Sequence, residues 1–360
     1  MSEPVALLES PSPNDNGVAV VEQDERVACF YLMTEIDDVK RIRTCWVRNL
    51  QTAPDSLDVD GMREGAPPMM PKPYCNHPNG SSPLDASSVR IVWAEEGDAA
   101  ALYERSELLA VIPSWSGSKE FDGFARDCIG EGPLAWELSA SNVSHERYAI
   151  ADDYWRSWDD ESLWTSYRDS LLQSLQQAFG QQSRYFAIDG GKWPPKALAW
   201  FNHGSLAVLS TIAVSMRAQP AVELSVEEPS ACRRIELGAC LDNNIGDEAI
   251  KSVAAYISGQ SGFPWSQNTW LGHGHTLPSD VFEQLSGGRF SFALLSSRHP
   301  AIAPVALPDF RGDPVSVLWM IPISAREREL AAQNGSAALL ERLWQLEVAS
   351  VTAFTRPEVA

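Results

Sequence analysis

Residues 318–343 read LWMIPISARERELAAQNGSAALLERL, and the reading of this stretch decides the fold class. The run Val315–Ile323 is nearly all apolar, as expected of a strand covered on both faces. Ser324 and Glu327 then have capping-box spacing: the Ser hydroxyl accepts the amide three residues on, and the Glu reaches back. Asn334-Gly335 supplies a left-handed stop. A second helix follows, carrying Leu339, Leu340, Leu343 and Leu346, with Ser336 expected as its cap.

Upstream the pattern continues as strands with interspersed helices. Leu198–Asn202 and Leu206–Met216 read as apolar strands separated by the turn Asn202-His203-Gly204. Ile235–Leu241 and Phe290–Leu295 are further strands. Ile250, Val253, Ala254 and Ile257 place a helix over Asp247–Ser258. Leu171, Leu172, Leu175 and Phe179 place another over residues 162–179. The expected class is α+β, with mixed, mostly antiparallel sheets flanked by helices, in two domains.

The first half differs in character. Val27–Thr34 and Arg41–Leu50 read as strands, as do Val89–Ala94, Leu108–Ile112 and Leu134–Leu138. Residues 53–88 form a long Pro/Gly/Ser-rich excursion, the kind of segment that is either functional or disordered. Residues 1–25 are acidic and Ser/Pro-rich and read as a disordered tail. The expected division is therefore a tail over 1–25, an acidic α+β domain over 26–160, and a second domain over 165–350.

Charge follows the same division. The chain has 360 residues and a formal net charge of −20. Residues 1–165 hold 13 Lys/Arg against 30 Asp/Glu, and residues 166–360 hold 15 against 18. A polyanionic half is repelled by nucleic acid and by anionic membrane, so neither is an expected partner. No apolar run approaches the ~20 residues of a bilayer span. The N-terminus lacks the basic and apolar regions of a signal peptide, which points to a cytoplasmic protein. Six scattered cysteines without a Cys-x-x-Cys pair read as reduced, mostly buried thiols.

No catalytic motif stands out. There is no Gly-x-Ser-x-Gly elbow, no P-loop and no dinucleotide fingerprint. Gly272-His273-Gly274-His275 is the most metal-like feature, because imidazoles at i, i+2 share one face of an extended segment. A zinc site needs three or four ligands, and the other histidines are isolated. His273 and His275 thus read first as loop histidines bonding backbone; a metal-dependent enzyme using them is the alternative. Arg311-Gly-Asp313 reads as a turn before the last strand. No cofactor is expected.

The stretch SHERYAIADDYWRSWDDESLWT, residues 144–165, combines acids with aromatics. Asp152, Asp153, Trp155, Trp158, Asp159, Asp160 and Glu161 suit a cationic protein partner: rings supply contact area and cation–π attraction, and carboxylates supply steering. The competing reading packs Trp155, Trp158 and Trp164 into a core and leaves the acids to water.

Residues 318–343 also resemble the closing strand and helices of the suppressor of fused family. Leu209–Leu224 (LSTIAVSMRAQPAVEL) resembles that family's Ser/Met segment leading into a Glu-bearing strand, with Ala213 standing where Gly is expected. Trp270–Pro278 (WLGHGHTLP) resembles its Gly-His-Thr turn, and Arg234–Leu241 fits the strand between. The resemblance covers roughly residues 180–345 and is similar to the bacterial branch. It implies an intracellular binding protein rather than an enzyme. Animal members sequester a transcription factor, and bacterial members are thought to neutralise polymorphic toxins as immunity proteins. For this chain the resemblance and the acidity together imply an immunity protein facing a basic toxin, with transcription-factor sequestration as the alternative.

Overall fold

The computed structural model of the chain describes residues 4–36, 38–118, 121–139, 145–346 and 352–359. The chain divides into two compact units. The first is Met1–Ser157 with Glu223–Ser225 and Trp265–Asn268; the second is Trp158–Val222, Val226–Pro264 and Thr269–Ala360.

The first unit is built on two sheets. Strands β1 (Val5–Pro11), β2 (Gly17–Gln23), β3 (Val27–Ile36) and β4 (Val39–Asn49) form an antiparallel sheet in sequence order. The expected disordered tail is therefore corrected over the described part of it; residues 1–3 lie outside the described residues. Apolar residues at Leu7, Leu8, Ala19 and Val21 pack into the unit's core. That burial outweighs the acidic Ser/Pro composition that suggested disorder.

The 53–88 excursion is ordered. It holds α1 (Val59–Arg63) and packs through Ala53, Met70, Cys75 and Leu84. Asn49 acts as a stand-in for a strand partner here. Its Nδ2 donates to the Met70 carbonyl (2.8 Å) and its Oδ1 accepts the Met70 amide (3.0 Å).

The second sheet is β5 (Val89–Trp93), β6 (Ala100–Glu104), β7 (Glu107–Ile112), β8 (Phe124–Ala125) and β9 (Trp136–Glu137). Period-two alternation buries both of its faces. Trp93, Ala100 and Leu102 join the core shared with the first sheet. Val92, Ala101 and Tyr103 join a second cluster under α2 (His145–Arg156), which supplies Tyr148 and Ala151.

The second unit opens with α3 (Glu161–Phe179), which buries Tyr167, Leu171, Leu175 and Phe179 at four-residue spacing. Strands β10 (Gln182–Ala187), β11 (Ala197–His203), β12 (Leu206–Ile212) and β13 (Ile235–Asp242) follow. Then come α4 (Asp247–Gln260), α5 (Phe263–Ser266, whose last two residues are counted with the first unit), β14 (Thr276–Pro278), α6 (Asp280–Leu285), β15 (Phe292–Ser296) and β16 (Ser316–Ile323). Helices α7 (Ala325–Asn334) and α8 (Ser336–Trp344) close the unit.

The sheet order is β10-β11-β12-β13-β16-β15-β14. All neighbours are antiparallel except the central pair β13 and β16. Helices α4 and α6 cover one face over Leu237, Ala239, Leu318 and Met320. On the other face, α8 packs Leu339, Leu340 and Leu343 against Leu294, Ile321 and Ile323. The apolar β16 is thus covered on both sides. The fold class is α+β with mostly antiparallel sheets, as expected.

Two local expectations change. Leu206–Met216 is not one strand, because β12 ends at Ile212 and Ala213 turns left-handed (φ 71°) into a 3-10 turn at Val214–Met216. Ser336 does not cap α8; Gly335, at φ 85°, occupies that position and Ser336 is the first helical residue. The capping box at Ser324 and Glu327 is present in both of its hydrogen bonds.

Candidate functional site

The acid–aromatic candidates fall on both units. Asp152, Asp153 and Trp155 belong to the first, and Trp158, Asp159, Asp160 and Glu161 to the second. In the first unit they ride on α2, which the sequence reading left unassigned. Its buried side is Tyr148, Ala151 and Tyr154, a helical spacing hidden among charges. Trp155 faces partly inward, packing against the core and donating Nε1 to the carbonyls of Trp93 (3.1 Å) and Ala94 (3.3 Å). Asp152 is paired with Arg90 (2.9 Å) and Arg156 (3.3 Å). Arg147 anchors the helix through Glu96 at 3.2 Å and through Glu223.

That leaves an outward face with Glu146, Ile150 and Asp153 exposed at i, i+4 and i+7. Ile150 is 50% exposed, an apolar side chain bracketed by carboxylates. Composition missed it; the inward spacing of Tyr148, Ala151 and Tyr154 is the signal that points Ile150 outward.

In the second unit Asp159, Asp160 and Glu161 are exposed. Asp160 is the N-cap of α3, accepting from the Ser162 amide (2.9 Å), the Ser162 hydroxyl (2.7 Å) and the Leu163 amide (3.4 Å). The Ser162 hydroxyl first, then these amides, hold its carboxyl below the usual range. Trp158 is half-buried, and its carbonyl accepts from Trp193 Nε1 at 2.6 Å. The seven candidates therefore do different work. Asp152 and Asp160 hold structure, Trp155 packs, Trp158 is half-buried, and Asp153, Asp159 and Glu161 are exposed.

The Gly-His-Gly-His segment is a turn joined to β15. The Gly274 amide donates to the Leu295 carbonyl (2.7 Å), and the Leu295 amide donates to His275 (2.8 Å). His275 Nδ1 accepts from the Gly272 amide (3.2 Å) and His273 Nδ1 from the Ser297 amide (3.1 Å). Burial lowers both imidazole pKa values, keeping the neutral form that can accept. Among the described residues no group of three His, Cys, Asp or Glu side chains is placed to hold a metal. Gly274 sits at φ 89°, and a Cβ there would meet Ser336 Oγ at 2.2 Å, so this position needs glycine.

The second unit's own polar groups are turned inward. Glu236, fully buried, accepts from Thr211 Oγ1 (2.6 Å) and from the amide (3.1 Å) and hydroxyl (2.6 Å) of Ser215. Tyr167 OH meets the same Ser215 hydroxyl at 2.7 Å. Burial raises the Glu236 pKa. Asp313, the acid of the Arg-Gly-Asp turn, binds Arg233 in two bonds of 2.8 Å and Arg234 Nε at 2.7 Å. Arg234 continues to the carbonyls of Ser215 (3.3 Å) and Met216 (3.1 Å). These bonds tie the Ser/Met segment, β13 and the loop before β16 into one network.

A further pair closes the end of the chain. Glu327 and Arg356, both with side chains 0% exposed, form two bonds of 2.6 and 2.7 Å. Glu327 also accepts the amides of Ser324 and Val359 at 2.9 Å each. No helix among the described residues is long and apolar enough to cross a membrane.

The family match falls largely on this second unit. Residues 195–357 match the model of the Suppressor of fused protein family. No curated protein matches the chain. Among solved structures, the Sufu–Fu complex aligns at TM-score 0.39 and 12% identity, over 53% of this chain and 88% of that one. Drosophila Suppressor of Fused aligns at TM-score 0.34 and 11% identity, over 52% of this chain and 49% of that one. The chain thus spans about half the length of the Drosophila structure it matches. Residues 195–357 are thus similar to the Suppressor of fused protein family.

Proposed function

We propose that this protein is a non-catalytic protein-binding module that neutralises a basic protein toxin by direct contact. The family match over residues 195–357 carries the reading. The first half adds its charge, 13 Lys/Arg against 30 Asp/Glu over residues 1–165. The outward face of α2, with Ile150 between Glu146 and Asp153, is the contact surface we assign on the first unit. Asp159 and Glu161 supply further steering charge. The polar networks of the second unit are consumed by its own backbone and ion pairs, which leaves them a structural role.

The test is capture of the partner from the native source, followed by association kinetics with the purified partner. Asp153→Lys, Asp159→Lys and Glu161→Lys are combined because all three side chains are exposed. For a basic toxin, the association rate falls about tenfold or more at low salt and its salt dependence flattens. An unchanged rate removes the steering surface. A captured transcription factor in place of a toxin replaces neutralisation with sequestration.

A further inference from the structure

The first unit holds four cysteines in one core: Cys29, Cys45, Cys75 and Cys128. Two of them face each other across an isolated antiparallel bridge, Cys75 on the 53–88 excursion and Cys128 just after β8. The hydrogen bonds around this bridge define its geometry. The Asn76 amide donates to the Asp127 carbonyl and the Ile129 amide to the Tyr74 carbonyl, both at 2.9 Å. The bonds are made by the flanking residues and not by the cysteines themselves. Cys75 and Cys128 are therefore a non-hydrogen-bonded pair, the closer of the two antiparallel arrangements, with Cα atoms about 4.5 Å apart and both Cβ atoms on one face. That lies inside the roughly 4.4–6.8 Å window of disulfides.

Each thiol has another contact. Cys75 Sγ meets the Met70 carbonyl at 3.4 Å, and Cys128 Sγ meets the Ala135 carbonyl at 3.1 Å.

We propose that Cys75 and Cys128 are a redox-convertible pair, joined into an intramolecular disulfide by a small-molecule disulfide such as oxidised glutathione. The Cys75 thiolate attacks one glutathione sulfur, forming a mixed disulfide and releasing one reduced glutathione. Cys128 then attacks Cys75 Sγ and releases the second. Two protein thiols and one oxidised glutathione become one protein disulfide and two reduced glutathiones. The bond staples the 53–88 excursion to the core.

Access requires local opening, because Cys75 is 5% exposed and Cys128 is 0% exposed. Burial, then the neighbouring Cys128, pushes the Cys75 thiol up to about 11; burial pushes Cys128 to about 11 as well. The exchange therefore speeds up as pH rises toward that value.

The test incubates the full-length native chain with oxidised glutathione, blocks remaining thiols, and maps peptides without reduction. The expected product is one peptide pair linking Cys75 to Cys128, lighter by two hydrogens, with Tm raised by about 5 °C. Cys75→Ala and Cys128→Ala each lose the link and the rise. Glutathione adducts without the link, a Cys29–Cys45 link in its place, or a link that forms only in urea overturns the proposal. The wild-type peptide map decides the matter even where a variant fails to fold.

Discussion

Compare Glu327 in the second unit with Asp153 in the first. Glu327 is fully buried, bound twice to Arg356 and to two backbone amides. Asp153 stands at the surface of α2, one turn from an exposed Ile150. Both are carboxylates on helices, and the sequence around each is rich in charge. The difference lies in what surrounds them. A carboxylate enclosed with its counter-ion is committed to holding one arrangement, and Asp153 is exposed to water. Counting acids does not separate the two, whereas burial does.

The comparison breaks most severely at Arg356. Arg356→Ala leaves Glu327 buried without its cation and costs about 3–5 kcal/mol, read by urea unfolding. Adding Glu327→Gln recovers most of that loss, since the glutamine carbonyl still accepts one of the amides; an additive pair of losses contradicts a direct coupling.

A second test uses pH. Burial lowers the His299 pKa from 6.5 to about 4. Between those values the unfolded chain binds a proton that the folded chain does not. The contribution is therefore complete above pH 6.5 and is lost as pH falls through 4, by about 3 kcal/mol in total. His299→Asn keeps an acceptor for the Ala301 amide, which His299 Nδ1 receives at 3.2 Å. Its stability falls less steeply from pH 7 to pH 4 than that of the wild type. Parallel curves remove His299 as an acid-sensitive element.

Smaller effects sharpen the contrast between structural and solvent-facing acids. Asp160→Ala, which removes the α3 cap, lowers Tm by about 2–4 °C. The triple reversal at Asp153, Asp159 and Glu161 moves Tm by about 2 °C or less while changing association with a cationic partner. A large Tm loss in the triple variant would reassign those acids to structure. Smallest is a gain: Ala213, a non-glycine residue at φ 71°, is strained. Ala213→Gly stabilises the unit by about 0.5–1 kcal/mol after the entropy glycine restores to the unfolded chain.

The legible parts of this fold are those with short sequence range. The Ser324–Glu327 capping box, the Leu stripe of α8 and the apolar β16 all follow from neighbouring residues. The glycine that the family resemblance implies at 213 fits the left-handed backbone there. What was not legible depends on distant partners. Glu327 reads as a surface cap until Arg356 covers it. Asp313 reads as part of a turn until Arg233 and Arg234 reach it. Cys75 and Cys128 carry no spacing that announces their facing positions. The strands at Val5–Pro11 and Gly17–Gln23 were hidden by composition, because their apolar residues are interleaved with Ser, Pro and acids. For the seven candidate residues, the sequence did not separate those held in structural bonds, such as Asp152 and Asp160, from those exposed to solvent.

The position of Arg356 also orders events during synthesis. Domains emerging from a ribosome generally fold as units, the N-terminal one first. The first sheet of this chain, β1 to β4, has all its strands once residue 49 is made. The domain containing Glu327 has to wait for Arg356, synthesised after its sheet and helices are complete. Until that arginine leaves the exit tunnel, α7 carries a carboxylate with no cation to accompany it inside.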